Sequence, residues 1–202
     1  ALYELYFEAL REGHAGQAID LDGLEAFVGP ALETGDFATL EQRVLAIHRL
    51  KTAAPAGALA RMGALAGGGS KTQIEAVGRY FDALGLAFQI VDDVLNLRGF
   101  AGGLKQTAED IMHGKVTLPV VRAFSQLTPG ERARLWALVA RRSEDTAEAV
   151  ALIEKAGALD SCLADARTLV EDAWTALTPL VDDSLAKVML RAFGWYVLER
   201  HY

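Results

Sequence analysis

The stretch SKTQIEAVGRYFDALGLAFQIVDDVLNL, from Ser70 to Leu97, decides the fold of this chain. Its opening serine is followed three residues later by Gln73, a spacing typical of the capping box that starts an α-helix. Apolar residues then recur three or four positions apart, as on one face of a helix: Leu84, Phe88, Val91 and Leu95. The sequence therefore predicts a long, mostly buried helix over this stretch.

Three oxygen-bearing side chains lie near the end of this predicted helix. Asp92 and Asn96 are four residues apart and share one helical face, with Asp93 beside them. Two carboxylates this close repel each other and are costly to bury, and a hard divalent cation such as Mg²⁺ would offset that cost. The alternative interpretation is an acidic pair on a solvated face, which the apolar surroundings disfavour. We therefore predict a magnesium site at these three residues.

Lysines flank the aspartates on both sides along the chain. Lys51 precedes them, and Lys105 and Lys115 follow, the last two next to glycine-containing segments. A lysine is a point charge that suits phosphate, and glycine allows close approach of the backbone. Any one of the three alone would be interpreted as a solvated surface lysine. Together with the aspartates, they predict a site for magnesium and a diphosphate.

The rest of the chain is predicted to be helical as well, because Ala and Leu dominate its composition. An apolar stripe predicts an amphipathic helix over Ala1–Gly13, and a loop is expected from Gly29 to Asp36. Thr39, followed by Gln42, predicts the start of the next helix. Pro55 predicts that this helix ends or kinks between Lys51 and Leu59.

The second half of the sequence also contains signals for helix starts. Thr128-Pro129-Gly130-Glu131 is a capping box with proline in the first helical position, so a helix is predicted to begin there. Three more helices are expected, over Ser143–Ala156, Leu159–Leu177 and Val181–Arg200. No segment of useful length alternates apolar and polar residues. The predicted fold class is all-α.

Composition excludes several classes of function. The chain has 202 residues, with 20 Lys+Arg against 27 Asp+Glu and a net charge of −7, which argues against a nucleic-acid-binding protein. Its single cysteine, Cys162, excludes an internal disulfide and a cysteine-based zinc site. No apolar run reaches the roughly 18 residues of a membrane span, and no secretory leader is visible. We expect a soluble, cytoplasmic, globular protein.

Five motifs in this order resemble those of the trans-isoprenyl diphosphate synthases, or polyprenyl synthetases. They extend over Gly16–Pro119 and read Gly16-Gln17-x-x-Asp20, Lys51-Thr52-Ala53, Phe88-Gln89-x-x-Asp92-Asp93-x-x-Asn96, Lys105 with Glu109-Asp110-Ile111, and Gly114-Lys115-Val-Thr-Leu-Pro119. The resemblance implies a bundle of mostly antiparallel helices around a deep apolar cavity, usually in a homodimer. It also implies magnesium-dependent, head-to-tail condensation of an allylic diphosphate with isopentenyl diphosphate.

The resemblance also implies roles for individual residues. Asp92 and Asp93 would bind the magnesium that holds the allylic diphosphate, and Lys51 and Lys105 would assist at the same diphosphate. Residues lining the cavity and its diphosphate mouth would be Gln17, Asp20, Thr52, Phe88 and Gln89, with Lys115 at the lid. These roles are chemically sensible, because diphosphate leaves readily only once its charge is neutralised.

The sequence departs from the family pattern at two places. The second aspartate-rich motif usually ends in aspartate, but Asn96 stands there, which fits a role outside the direct ligands. The first aspartate-rich motif is missing, since the residues before Gly16 contain no aspartate. We therefore expect residues 1–202 to be the C-terminal part of one isoprenoid synthase-like domain.

Two other functions stay open at this point. One is a non-catalytic regulatory subunit of a heteromeric prenyl synthase, which the two departures favour and the retained aspartates and lysines oppose. The other is a related class I terpene cyclase, whose second metal motif has Asn, Ser and Glu at helical spacing; that motif is not found here. A second Asp-Asp pair, Asp182-Asp183, is interpreted as structural because it lies near a helix start.

Overall fold

A computed structural model of the chain describes residues 2–99, 107–142 and 145–200. These residues form helices and no strand, which confirms the all-α prediction. The α-helices are α1 (Leu2–Asp22), α2 (Glu25–Thr34), α3 (Phe37–His48), α4 (Ala54–Ala66), α5 (Lys71–Arg98), α6 (Glu109–Met112), α7 (Leu118–Gln126), α8 (Pro129–Ala140), α9 (Ala147–Lys155), α10 (Ala158–Leu177) and α11 (Leu185–Glu199).

The chain divides into two compact units, each assembled from separate segments of the sequence. Unit 1 contains the stretch ending at Ile19, Ile47–Val91 and Ala164–Arg200, and unit 2 contains Asp20–Ala46 and Asp92–Leu163. Helix α5 therefore begins in unit 1 and ends in unit 2. The prediction that the chain is part of one domain stays a prediction.

Helix α5 starts where the capping box predicts. The N–H of Ser70 donates to the side-chain oxygen of Gln73 at 2.9 Å, and the N–H of Gln73 donates to the Ser70 hydroxyl at 3.3 Å. Tyr80 is fully buried, and its ring lies 5.5 Å from that of Trp174 within unit 1. The predicted long, mostly buried helix is confirmed.

The predicted interruption near Pro55 is also confirmed, and its form is unusual. Residues Arg49–Ala53 form a π-helical turn between α3 and α4, and Pro55 lies in the first turn of α4. Proline is tolerated there because the first N–H groups of a helix lack intrahelical partners. The turn holds Lys51 and Thr52, both half-buried.

Two expectations about the N-terminal region are wrong. Residues predicted as a loop from Gly29 onward belong to α2, which buries Val28 and Ala31 and contains Pro30. The break comes at Gly35, whose φ of 76° is left-handed and whose N–H donates to the Ala31 carbonyl. Burial of the apolar face outweighs the local preference of Gly29 and Pro30 for a turn.

The start of α3 is the second correction. The helix begins at Phe37, earlier than the predicted capping residue Thr39. Its cap is Asp36, whose carboxylate accepts the N–H of Thr39 at 3.0 Å. Aspartate directly before an apolar residue was the better start signal.

Helix α1 is confirmed but is longer than the stripe predicted. It continues to Asp22, and Gly16 is its buried residue. The apolar stripe does not mark a buried face, because Leu2 and Tyr6 are both exposed.

The helices of the second half agree with the prediction within a few residues. Thr128 caps α8, with both hydrogen bonds of the capping box formed to Glu131. The predicted helix over Ser143–Ala156 starts at Ala147, and Ser143 lies outside the described residues. Among the described helices, none combines the length and the apolar composition that crossing a membrane requires.

Candidate functional site

Asp93 lies in the last turns of α5, within unit 2, and is only 4% exposed. Its carboxylate accepts a hydrogen bond from the N–H of Leu118 at 3.1 Å, at the first residue of α7. The N-cap residue of that helix, Thr117, makes no side-chain cap of its own. A carboxylate from another helix therefore satisfies the start of α7.

Asp93 belongs to a cluster of acidic side chains in unit 2. Burial raises the pKa of Asp93 to about 7, with the charges of Asp92 and Asp20 adding to the effect and the Leu118 N–H opposing it. Burial likewise raises the pKa of Asp110 to about 6, to which Asp93 and Asp92 contribute. Mutual repulsion in a poorly solvated place is thus the common property of the cluster.

Lys115 is the cation of this cluster. Its Nζ lies 3.7 Å from an oxygen of Asp20 and 3.9 Å from an oxygen of Asp110. Burial by itself lowers the pKa of Lys115, but the surrounding carboxylates, led by Asp110 and Asp20, raise it overall. The structure therefore brings together Asp20, Asp93 and Lys115, which the sequence places far apart.

Asn96 holds the segment that carries Asp110. The side-chain oxygen of Asn96 accepts the N–H of Asp110 at 3.2 Å, and its backbone oxygen accepts the N–H of Ala108 at 2.6 Å. Asn96 is 8% exposed, so these bonds are shielded from water. Asp110 belongs to a motif that the sequence displays, but only the fold shows that it joins the cluster.

The donor set suits a hard cation. The carboxylates of Asp20, Asp93 and Asp110 all offer oxygen ligands. A bound divalent ion would relieve the repulsion that raises the pKa of Asp93 and Asp110. Within the described ranges, no three acidic, histidine or cysteine side chains are arranged to hold a metal by themselves. Mg²⁺ commonly takes only one or two carboxylates and completes its shell with water and phosphate oxygens.

Five of the other predicted site residues lie in unit 1. Gln17 is exposed on α1, while Phe88 and Gln89 are half-buried on α5. Lys51 and Thr52 occupy the π-helical turn. Lys105 lies outside the described residues, so its role stays a prediction.

Phe88 has a partner that the sequence did not reveal. The guanidinium of Arg200 lies 3.5 Å from the centroid of the Phe88 ring, and it donates to the Phe88 carbonyl at 2.7 Å. Arg200 is 5% exposed despite its position at the end of α11. A cation already stacks on this ring, and nothing in the local pattern around residue 200 could have indicated it.

Unit 1 also contains a cavity of about 850 Å³. Its walls come from α1, α4, α5 and α10 together with the π-helical turn, and Ala53 belongs to both the turn and the cavity. The lining mixes apolar and charged side chains, among them Leu86, Arg61 and Glu75. The deep apolar cavity that the resemblance implies stays a prediction.

Comparison with known proteins gives a consistent result. The sequence profile of the polyprenyl synthetase family matches residues 1–156. A short chain isoprenyl diphosphate synthase of Methanothermobacter thermautotrophicus is 35% identical over 179 residues, which are 86% of this chain and 55% of that protein.

Solved structures extend the similarity to the fold. A decaprenyl diphosphate synthase from Rhodobacter capsulatus matches with a TM-score of 0.82 and 30% identity, covering 100% of this chain and 60% of that one. A geranylgeranyl pyrophosphate synthase from Corynebacterium glutamicum, in complex with isoprenyl diphosphate and magnesium, matches with a TM-score of 0.84 and 25% identity. That match covers 99% of this chain and 55% of the Corynebacterium one.

The chain thus spans a little over half the length of these relatives. The family profile covers most of the chain, and the structural matches cover nearly all of it. The expected fold is confirmed as that of the isoprenoid synthases. On sequence and fold together, this chain belongs to the polyprenyl synthetase family.

Proposed function

We propose that the protein is a prenyl diphosphate synthase that condenses an allylic diphosphate with isopentenyl diphosphate. The observation that carries the proposal is the cluster of Asp93, Asp110, Asp20 and Lys115, in which Asp93 is buried and the other three are half-buried; all four are motif residues of the family. The names of the relatives, which are isoprenyl, decaprenyl and geranylgeranyl diphosphate synthases, support it.

The proposed reaction breaks the bond between the allylic carbon and the diphosphate oxygen, and diphosphate leaves with the electron pair. The double bond of isopentenyl diphosphate then forms a bond to the allylic carbon, and loss of a proton restores a double bond. No nucleophile from the protein is needed. The protein has to neutralise the leaving group and exclude water from the cation.

Asp92 and Asp93 are proposed to hold Mg²⁺, which supplies charge neutralisation at the leaving diphosphate when bound. Asn96 is assigned the outer position, because its oxygen already accepts the N–H of Asp110. Lys115 is proposed to bind diphosphate and to balance the carboxylates around it.

The roles of the other predicted residues, including Lys105 outside the described ranges, are proposed on the resemblance alone. Lys51 and Lys105 would add positive charge at the diphosphate, and Thr52 and Gln89 would offer hydrogen bonds. Gln17 and Asp20 are proposed as substrate-binding residues, as the resemblance implies. Phe88 would present its ring to the allylic cation, with Arg200 fixing the orientation of that ring.

Substitution of Asp92 tests the metal assignment. In the full-length protein, Asp92→Ala should lower magnesium-dependent incorporation of labelled isopentenyl diphosphate by roughly 100- to 1,000-fold, the size expected for loss of charge stabilisation in a transition state. The matched control is Asp182→Ala, which removes an exposed aspartate near the start of α11 and should leave turnover unchanged.

Two results would contradict the proposal. Unchanged turnover in Asp92→Ala would refute the metal assignment. Absence of incorporation by the unsubstituted protein, with any allylic diphosphate from five to twenty carbons, would refute the activity itself.

Two further properties are proposed on the resemblance. The protein is expected to act as a homodimer, to be checked by sedimentation. It is also expected in the cytoplasm, which fractionation of producing cells would check.

A further inference from the structure

The turn that carries Lys51 and Thr52 is π-helical rather than α-helical. Such turns are rare and cost hydrogen-bond geometry, so something must impose this one. Pro55, in the first turn of α4, has no N–H to donate to the Lys51 carbonyl four residues before it, so it favours the departure from α-helical bonding but does not fix where the turn lies. The backbone of two other helices meets the turn directly.

Gly16 of α1 packs directly against the backbone of the turn on one side. A Cβ atom at Gly16 would lie 2.5 Å from the backbone nitrogen of Lys51 and 2.8 Å from the backbone carbon of Leu50. Both are backbone atoms, so no side-chain rotation could relieve the overlap. The turn would have to move away from α1.

Gly85 of α5 packs directly against the backbone at the C-terminal end of the same turn. A Cβ atom there would lie 2.7 Å from the Cα of Ala53 and 3.1 Å from the carbonyl oxygen of Thr52. These are again backbone atoms. All these residues lie within unit 1, and Gly16 and Gly85 are both buried.

We propose that Gly16 and Gly85 are positioning residues that clamp the Lys51–Thr52 turn and fix where these two side chains meet the diphosphate. This inference rests on the proposed function, which gives Lys51 and Thr52 their ligand. The absence of a side chain at the two glycines is what allows three backbone segments to approach so closely. A displacement of about 1 Å at such a turn can cost about 100-fold in a positioned reaction.

The test compares alanine substitutions at three glycines of unit 1. Gly85→Ala should weaken binding of inorganic diphosphate in the presence of Mg²⁺ by about 10- to 100-fold, measured by calorimetry on the full-length protein. The matched control is Gly63→Ala, because a Cβ at this exposed position on α4 meets nothing within 4 Å. It should bind diphosphate normally and be slightly more stable, since alanine favours a helix over glycine.

A combined substitution shows whether the effect passes through Lys51 and Thr52. If Gly85 acts by placing these two side chains, Lys51→Ala/Thr52→Ala/Gly85→Ala should bind diphosphate almost as well as Lys51→Ala/Thr52→Ala. Independent, multiplying losses would show that Gly85 acts elsewhere and would overturn the proposal. A change in KM for the allylic diphosphate larger than the change in kcat should accompany the loss of affinity.

Folding is checked by circular dichroism and thermal unfolding of each variant. If Gly85→Ala fails to fold, Gly16→Ala decides, because it acts on the opposite side of the turn. If neither Gly85→Ala nor Gly16→Ala folds while Gly63→Ala does, Gly16 and Gly85 serve only the stability of the fold, and the proposal is overturned. A wild-type protein that binds no diphosphate would instead refute the proposed function, whereas normal binding by a folded Gly85→Ala would refute only the clamp.

Discussion

The carboxylate of Asp93 holds the first N–H of α7 in addition to its proposed role with the metal. Leu118, the donor, is fully buried, so its N–H has no access to water if the acceptor is lost. Asparagine keeps an oxygen at this position and removes a charge that is costly to bury. The fold therefore requires only an acceptor oxygen at residue 93, whereas the proposed metal site requires the charged carboxylate.

Asp93→Ala should lower the free energy of unfolding by about 1–3 kcal/mol, the cost of an unsatisfied buried donor. Asp93→Asn should unfold at the wild-type denaturant concentration or above it, while losing prenyl transfer as severely as Asp93→Ala. Urea unfolding together with the incorporation assay would measure both quantities. Equal destabilisation by the two substitutions would mean that the charge, not the hydrogen bond, supports α7.

Helix α8 owes its sharp start to a capping box with an added charge. Glu131 accepts hydrogen bonds from the side chain of Lys155 and from the hydroxyl and N–H of Thr128, and these lower the pKa of Glu131 to about 2. Between this value and the ordinary 4.5, the folded protein binds fewer protons at Glu131 than the unfolded chain does. The stabilisation is therefore complete above about pH 4.5 and is lost as the pH falls through 2.

Replacing Glu131 by Gln should lower the thermal midpoint at pH 7, and the deficit should shrink steadily below pH 4.5. Calorimetry of both proteins between pH 7 and about pH 2 would follow the difference. Glu33→Gln, on the exposed last turn of α2, is the control. A deficit that persists unchanged at the acid end would show that the box stabilises α8 without its charge.

Elements whose start is set by local chemistry were predictable, and those set by distant contacts were not. Ser70 with Gln73 and Thr128 with Glu131 form capping boxes, which predict the starts of α5 and α8 from residues only three positions apart. Helix α2 was missed because Gly29 and Pro30 favour a turn locally, whereas burial of Val28 on the same helix depends on the rest of unit 2.

The same distinction holds for the candidate site. The motifs identified Asp93 and Asn96 as site residues, because their types and spacing are visible in the sequence. Their hydrogen bonds to Leu118 and Asp110 join residues 25 and 14 positions apart, which no periodicity can show. Arg200 reaches Phe88 over 112 positions and was invisible for the same reason.

For the whole molecule, the exposed face of α1 bears on the proposed homodimer. Tyr3, Phe7 and Leu10 follow one another at helical spacing and are 80%, 62% and 39% exposed. Contiguous apolar residues of this kind are typical of protein interfaces. The homodimer proposal assigns this face to a second copy of the chain, and self-association of the full-length protein tests that assignment.

Phe7→Lys should therefore weaken self-association at least tenfold, because it places a charge in the middle of the apolar stripe. Sedimentation velocity over a range of protein concentrations would measure the dissociation constant. Thr175→Lys, an equal charge change at an exposed position on α10, should leave it unchanged. A dissociation constant unaffected by Phe7→Lys would place the dimer contact away from α1.

The division of the chain between two units has a consequence for its synthesis. Unit 2 takes its segments from Asp20–Ala46 and Asp92–Leu163, so all of them have been translated before the last segment of unit 1 begins at Ala164. The middle segment of unit 1, Ile47–Val91, is translated well before α11, yet its unit cannot close until α11 has emerged. Ribosomes add roughly 5–20 residues per second, so the apolar residues of α5 that pack within unit 1, such as Tyr80 against Trp174, wait several seconds for their partners. We therefore expect the nascent chain to be most prone to aggregation while unit 1 is incomplete, before Ala164–Arg200 has been made.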